Sequence, residues 1–201
     1  MSVYHVLTDR MAKLLDEGVV PWDKPGFPLS LATKTRFRGA NVFLLAGTGR
    51  ASPWWGSFDE IHGLGGRVAK GQHGVPAAHW VWATRDGRRV AMLRYHTVFN
   101  FEQCEDLDEP PVTIPPPPGP EMISRLPAVW GEDLKGSSDL ACLTAQMGWS
   151  LAMREMGAFR PLGISPGGWA EAMRNDQTLA YKAGAAAQKA IDEALGRTWE
   201  K

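Results

Sequence analysis

At 201 residues, 44% apolar and 22% charged, the chain has the composition of a folded globular protein, long enough for one large domain or for a domain with an appendage. No window approaches the roughly 18 uninterrupted apolar residues of a membrane helix. The amino terminus lacks the basic-then-apolar pattern of a secretory leader, and Cys104 and Cys142 have no paired spacing, so the expectation is a cytoplasmic protein with free thiols and no membrane partner. The net charge of zero hides an asymmetry: residues 1–100 carry 13 Lys and Arg against 7 Asp and Glu, and residues 101–201 carry 9 against 15. Five of the nine tryptophans lie in that basic half, which makes it the half suited to a polyanion.

In chain order, Tyr4, Leu7, Met11, Leu14 and Leu15 form a stripe that predicts a helix from about residue 3 to 17, capped by Ser2 and ended by Gly18. Pro21 and Pro25 then force a rigid loop that presents Trp22 and Lys24. Lys34, Arg36 and Arg38 alternate, so an extended chain would line them along one side; a solvated face and a phosphate site both fit that pattern. The apolar run 39–45 reads as a buried strand or a helix, with Asn41 as its one polar group in need of partners. A second proline-stiffened loop carries Trp54 and Trp55, and Ser57 with Glu60 forms a capping box for a short helix.

Residues 65–74 hold four glycines with Arg67, Lys70 and His73, a loop that can bring N–H groups and cations to an anion. Two strand-like runs, 76–84 and 88–100, are joined by Asp86-Gly87, a type I′ turn signal. That turn sets Thr84 opposite Arg89, Trp82 opposite Ala91 and Trp80 opposite Leu93. One face then carries Trp80, Trp82, Leu93 and Tyr95 and the other His79, Val81, Met92 and Arg94, so the hairpin is either covered on both sides or offers its aromatic face as a binding platform, with core packing the favoured role for the tryptophans. Seven of the fifteen prolines fall in 110–120 and mark a stiff tether. Beyond it only helices are expected: one carrying Leu140, Leu143, Met147 and Leu151, a short one at Trp169 and Met173, and an alanine-rich one capped by Asp176 and closed by Gly196. Their small side chains make a thin independent core, so this part should dock on the first half or on a second copy.

No Walker loop, H-E-x-x-H, C-x-x-C or G-x-S-x-G occurs, and the five histidines all precede the tether without an i,i+4 pair. His73 and His79 are the pair that could meet in space. Neither a metal site nor a nucleophile–base set can be named, so the chain reads as a non-enzyme without a cofactor. What remains is a mixture of cations and flat rings, the mixture single-stranded nucleic acid requires: Trp22, Lys24, Lys34, Arg36, Arg38, Arg50, Trp54, Trp55, Arg67 and Lys70.

Six blocks stand in an order that resembles the single-stranded-DNA-binding domain of the ArdC-type antirestriction family. They are Thr8-Asp9-Arg10; Val20-Pro21-Trp22-Asp23-Lys24-Pro25; Phe37-Arg38-Gly39-Ala40-Asn41-Val42; Ala51-Ser52-Pro53-Trp54-Trp55; the loop 65–74; and Tyr95-His96-Thr97-Val98-Phe99-Asn100. In that family a zincin-like metallopeptidase domain with H-E-x-x-H and an acidic zinc ligand follows. Here the resemblance resumes only near Ser138-Asp139, where Asp139 matches the acidic ligand and the histidines are missing; Gln72 stands where the family usually has Glu. The resemblance implies a family member without its peptidase, and no zinc.

The combined expectation is an α+β protein: a small antiparallel sheet with helices over 1–109, a linker over 110–136 and a helical metallopeptidase remnant over 137–201. It would bind single-stranded DNA without sequence preference through Trp22, Lys24, Lys34, Arg36, Arg38, Asn41, Trp54, Trp55, Arg67 and Lys70, and protect the DNA of a plasmid, phage or other mobile element. The alternative is an interaction protein that inhibits a host defence or restriction enzyme directly, with the acidic half mimicking DNA.

Overall fold

The structure, a computed structural model, describes residues 2–112 and 138–197. Helix α1 (Val3–Asp16) starts where Ser2 accepts a bond from the His5 N–H, and it buries Leu7, Met11, Leu14 and Leu15 on one face. The run 39–45 is helical: α2 (Ala40–Ala46) buries Val42, Phe43, Leu44 and Leu45. Asn41 finds its partners on the next sheet, donating to Ala78 O and accepting from Ala78 N, both at 2.8 Å. Helix α3 (Phe58–Gly63) carries the expected capping box, with Ser57 and Glu60 each bonded to the other's backbone N–H.

A four-stranded sheet runs in the order β1 (Leu29–Ser30), β2 (Trp54–Ser57), β5 (Arg88–Asn100), β4 (Val75–Arg85), with β1 parallel to β2 and the other pairs antiparallel. A second, two-stranded ribbon pairs β3 (Arg67–Val68) with β6 (Cys104–Glu105). Asp86 and Gly87 both take positive φ, the turn sits where the sequence puts it, and the register through Thr84–Arg89, Trp82–Ala91 and Trp80–Leu93 is the predicted one. Only residues 98–100 of β5 pair with β2, so the distal part of β4–β5 is a two-stranded ribbon.

After the proline-rich stretch, whose expected tether lies from residue 113 to 136 outside the described residues, come α4 (Asp139–Glu155), α5 (Trp169–Asn175) and α6 (Leu179–Ala194). Asp176 stands one turn before α6 and its carboxylate accepts from Thr178, which holds the N-cap position. The carboxyl-terminal helices dock on the amino-terminal half. Leu143, Met147, Leu151, Met173, Ala183, Ala187 and Ile191 form one buried cluster with Leu7, Met11, Trp22, Val42, Phe43 and Leu44. Among the described residues no helix is long and apolar enough to cross a membrane.

Three of the proposed base-stacking residues belong to the core. Trp22 is fully buried, its Nε1 donates to Gln146 Oε1 at 3.1 Å, and its ring meets Trp169 edge-on. Trp54 and Trp55 are 3% and 2% exposed and are successive residues of strand β2 where a loop was expected, so their rings enter two smaller clusters on opposite faces of the sheet. All three rings turn inward, because a short chain with an alanine-rich second half needs large apolar volume to close its core.

The close approach of α2 and α6 depends on Gly184, where an added Cβ would lie 2.6 Å from Ala40 N and 2.9 Å from Ala40 Cα. Alanine gains about 1 kcal/mol over glycine in a helix interior, but a clash against backbone cannot be relieved by a rotamer change, and overpacking typically costs about 1–3 kcal/mol. Gly184→Ala is therefore expected to lower stability by up to about 2 kcal/mol net. Urea denaturation checks this; a midpoint shifted upward would show that the two helices can separate.

Candidate functional site

A cleft of about 710 Å³ opens between the aromatic face of the β4–β5 ribbon and α6. Arg38, Asn41, Ala78, Trp80 and Leu93 form one wall; Tyr181, Gln188, Lys189 and Asp192 stand on the other. A second cleft of about 440 Å³ shares Arg38, Gln188 and Arg197 with the first and continues to Lys34, Thr35 and Phe37. Together they make a groove that runs from the ribbon past the 34–38 segment.

The floor of the groove is an ion-pair network. Glu155, whose side chain is 5% exposed, binds Arg36 at 3.0 Å and Arg197 at 2.7 Å, and Asp192 binds Arg38 and accepts from Gln188. Gln188 in turn accepts from Gly39 N. The alternating cations are thus brought together as the sequence suggests, but two of them are neutralised from below by carboxylates of the acidic half. The strand-like alternation is also broken: Lys34 takes φ +57° in a turn and its Nζ lies 5.1 Å from the Trp54 ring centroid.

The other predicted cations lie elsewhere. Arg67 is exposed on the β3–β6 ribbon and is engaged by Glu105 at 2.8 Å and Asp106 at 2.5 Å. Lys70 is exposed on the adjoining loop with no ion pair among the described residues. That loop is pinned by buried Gln103, which donates to Gln72 Oε1 and His73 O, and Gly74 is required because an added Cβ would lie 2.7 Å from Val98 O. Gly66 and Gly74 are thus explained by packing, and Gly65 and Gly71 by their positive φ. Lys24 belongs to the loop seated on α4, where its carbonyl accepts from Arg154.

The ribbon takes the less favoured of the two roles the sequence leaves open, an accessible aromatic face. Trp80, Trp82 and Tyr95 are 57%, 50% and 46% exposed, the opposite of the core role favoured for the tryptophans. Arg85, Arg88, Arg89 and Arg94 of the same ribbon are exposed and form no ion pair among the described residues; Arg89 shares the aromatic face and lies 4.5 Å over the Trp82 ring, and the other three stand on the reverse face. Trp80 lines the cleft together with Tyr181, whose phenol is pushed up by burial and by Tyr4, with Trp80 opposing the shift. The signal was available in the register, which already put both tryptophans on one face, but nothing in the sequence says which elements cover that face. On the reverse face His79 meets His96, not His73, with Nδ1 atoms 2.9 Å apart. Burial, then the charge of His79, pulls the His96 pKa down.

Comparison with known proteins places these elements in a context. The sequence model for the N-terminal domain of anti-restriction factor ArdC matches residues 1–102. The chain is similar to DNA primase TraC of Escherichia coli, 27% identical over 134 residues, 52% of this chain and 9% of that protein. It is also similar to uncharacterized protein y4eC of Sinorhizobium fredii (strain NBRC 101917 / NGR234), 24% identical over 149 residues, 62% of this chain and 48% of that protein. The chain thus spans less than half the length of either curated relative. Two crystal structures of the antirestriction ArdC protein from plasmid R388 share its fold. The metal-free form gives a TM-score of 0.73 at 21% identity, over 99% of this chain and 100% of that one. The manganese(II)-bound form gives 0.75 at 22% identity, over 96% and 97%.

The groove floor has a pH signature. Burial opposes ionisation of Glu155, but hydrogen bonds and charges from Arg197 and Arg36 outweigh it and hold the carboxyl below its ordinary 4.5. A depressed folded pKa stabilises the protein above the unfolded value, and that contribution is lost as pH falls through the folded value. Glu155→Gln is expected to be less stable than wild type by about 1–3 kcal/mol at neutral pH, with the gap closing as pH drops below 4.5. Urea midpoints at pH 7 and in acid test this; a gap independent of pH would show that the network contributes only packing.

Proposed function

The chain belongs to the ArdC anti-restriction family through its amino-terminal domain, and from that premise we propose that it binds single-stranded DNA without sequence preference and shields it by occlusion. The observation that carries this reading is the exposed row Trp80, Trp82 and Tyr95, with Arg89 over Trp82 on the same face and without a carboxylate partner among the described residues. Exposed flat rings stack on bases that a duplex would hide, at about 1–3 kcal/mol per base whatever the base, while cations neutralise the phosphates. The strand would lie on the ribbon's aromatic face, held at Trp80, and continue along the groove past Arg38 to Lys34. Trp22, Trp54 and Trp55 have no part in it as folded, because stacking needs an accessible face.

The DNA primase named among the relatives and the plasmid source of the matched structures support a mobile-element setting with DNA as the partner. We read the chain as a binding protein without peptidase chemistry. The manganese named for one matched structure needs several converging donors. The described residues bring together no group of three His, Cys, Asp or Glu side chains able to hold a metal, and the sequence has no histidine beyond His96. The proposed binding uses cations and rings alone. An inhibitor of a host defence protein acting by DNA mimicry draws less support, because Glu155 and Asp192 are turned inward onto this chain's own arginines.

Fluorescence anisotropy with a labelled oligonucleotide tests the reading. Wild type is expected to bind with an affinity that falls steeply with salt, and Trp80→Ala and Trp82→Ala each to weaken it by about 5- to 100-fold. Affinity that ignores salt, or a double variant that binds as wild type does, would sink it.

A further inference from the structure

We propose that the reverse face of the β4–β5 ribbon is a second nucleic-acid site, for the sugar–phosphate backbone of a duplex, so that the ribbon sits in the fork of a single-strand–duplex junction. The proposal rests on the reading of the aromatic face as the single-strand site and assigns a different ligand to the opposite side of the same element.

The pairing register fixes which residues share each face. Trp80, Trp82, Leu93 and Tyr95 stand on one; Arg85, Arg88 and Arg94 stand on the other, with Val81, Met92 and the His79–His96 pair. Side chains two apart along a strand point the same way, and residues directly opposite in a ladder share a face. The reverse face is therefore cationic where the front is aromatic. Arg85 lies directly opposite Arg88, and Arg94 directly opposite His79. Like charges placed opposite each other destabilise a ladder, so the Arg85–Arg88 pair does not serve the stability of the ribbon. Asp86 at the turn is the only carboxylate between residues 79 and 95. An anionic ligand relieves the repulsion.

The chemistry of the face selects the kind of anion. It offers no exposed ring: Val81, Val90 and Met92 are half-buried, and the exposed aromatics are all on the front. A single strand would find nothing there to stack on, whereas a duplex hides its bases and presents only phosphates. From the Arg94–His79 pair to the Arg85–Arg88 pair is six residues along the strand, about 20 Å at the usual rise. That spans about six base pairs at 3.4 Å each. Two strands of backbone separate the faces, so one ligand segment occupies the front and another the back.

The test uses the full chain and four labelled DNAs: a single strand, a single strand of twice the length, a blunt duplex, and a duplex carrying the first strand as a tail. The tailed duplex is expected to bind at least about tenfold tighter than either single strand at moderate salt. The triple variant Arg85→Gln, Arg88→Gln, Arg94→Gln should remove that advantage, reduce the salt dependence on the tailed duplex by about 2–3 in the log–log slope, and leave the short strand's affinity within about twofold. Trp80→Ala with Trp82→Ala should do the converse, losing the short strand while retaining a weak salt-dependent contact with the blunt duplex. Circular dichroism establishes that each variant is folded, and single arginine variants stand in for a triple variant that is not. Equal binding of strand and tailed duplex by wild type overturns the second site and leaves the single-strand reading intact. So does a triple variant that loses both DNAs in equal measure, or a long single strand that matches the tailed duplex. Failure to bind any single strand overturns the reading beneath it.

Discussion

The seating of the 21–26 loop on α4 is the contact on which the other arrangements depend. Trp22 enters the core and donates to Gln146, Ser150 donates to the Trp22 carbonyl, and Arg154 donates to the carbonyls of Lys24 and Gly26. Asp23 accepts from the N–H groups of Leu162 and Gly163, at 2.5 and 2.9 Å. Arg154 is itself buried, stacked against Phe43 and Phe159, and its pKa is pushed down to about 10 by burial, with the charge of Asp23 opposing the shift. A guanidinium so placed is tolerable only because backbone oxygens satisfy its N–H groups, so the loop and the helix require each other. With that contact made, α6 falls against α2, and the groove has its second wall.

The same docking explains the division of charge along the chain. A basic first half and an acidic second half look like a surface for a polyanion joined to a solvated tail. In the folded protein much of the complementarity is internal, between Arg36, Arg38 and the carboxylates of Glu155 and Asp192, and between Arg67 and the acidic turn after β6. The positive charge left over is concentrated on the ribbon.

Local signals were read well from the sequence because local chemistry determines them. Ser2 and Ser57 cap helices, Asp86-Gly87 closes the hairpin, and its register follows from the turn alone. The α+β class and the family resemblance were legible for the same reason. Side-chain destinations were not. Trp22, Trp54 and Trp55 sit beside prolines and lysines like the anchors of a binding loop, yet the space they fill is created by helices more than a hundred residues away for Trp22. Trp80 and Trp82 lie in a strand that reads as core, yet among the described residues no element covers them, and the last helix only borders a cleft beside Trp80. Arg36 and Arg38 were placed correctly on one arm, and their neutralisation by Glu155 and Asp192 depends on contacts across more than a hundred positions.

An exposed pair of indoles on a sheet-edge ribbon is a liability, since each leaves apolar area in water and together with the unpaired strand edge invites self-association. The chain lays Arg89 over Trp82, sets Tyr181 beside Trp80 and places Arg85, Arg88 and Arg94 on the reverse face. Positive charge on both faces opposes edge pairing with another copy without hiding the rings, whereas a core tryptophan such as Trp22 is simply enclosed. A fold that already closes its core with three other tryptophans gains no stability from leaving two more in water. A flat, accessible ring beside a positive charge is what the proposed single-strand site requires.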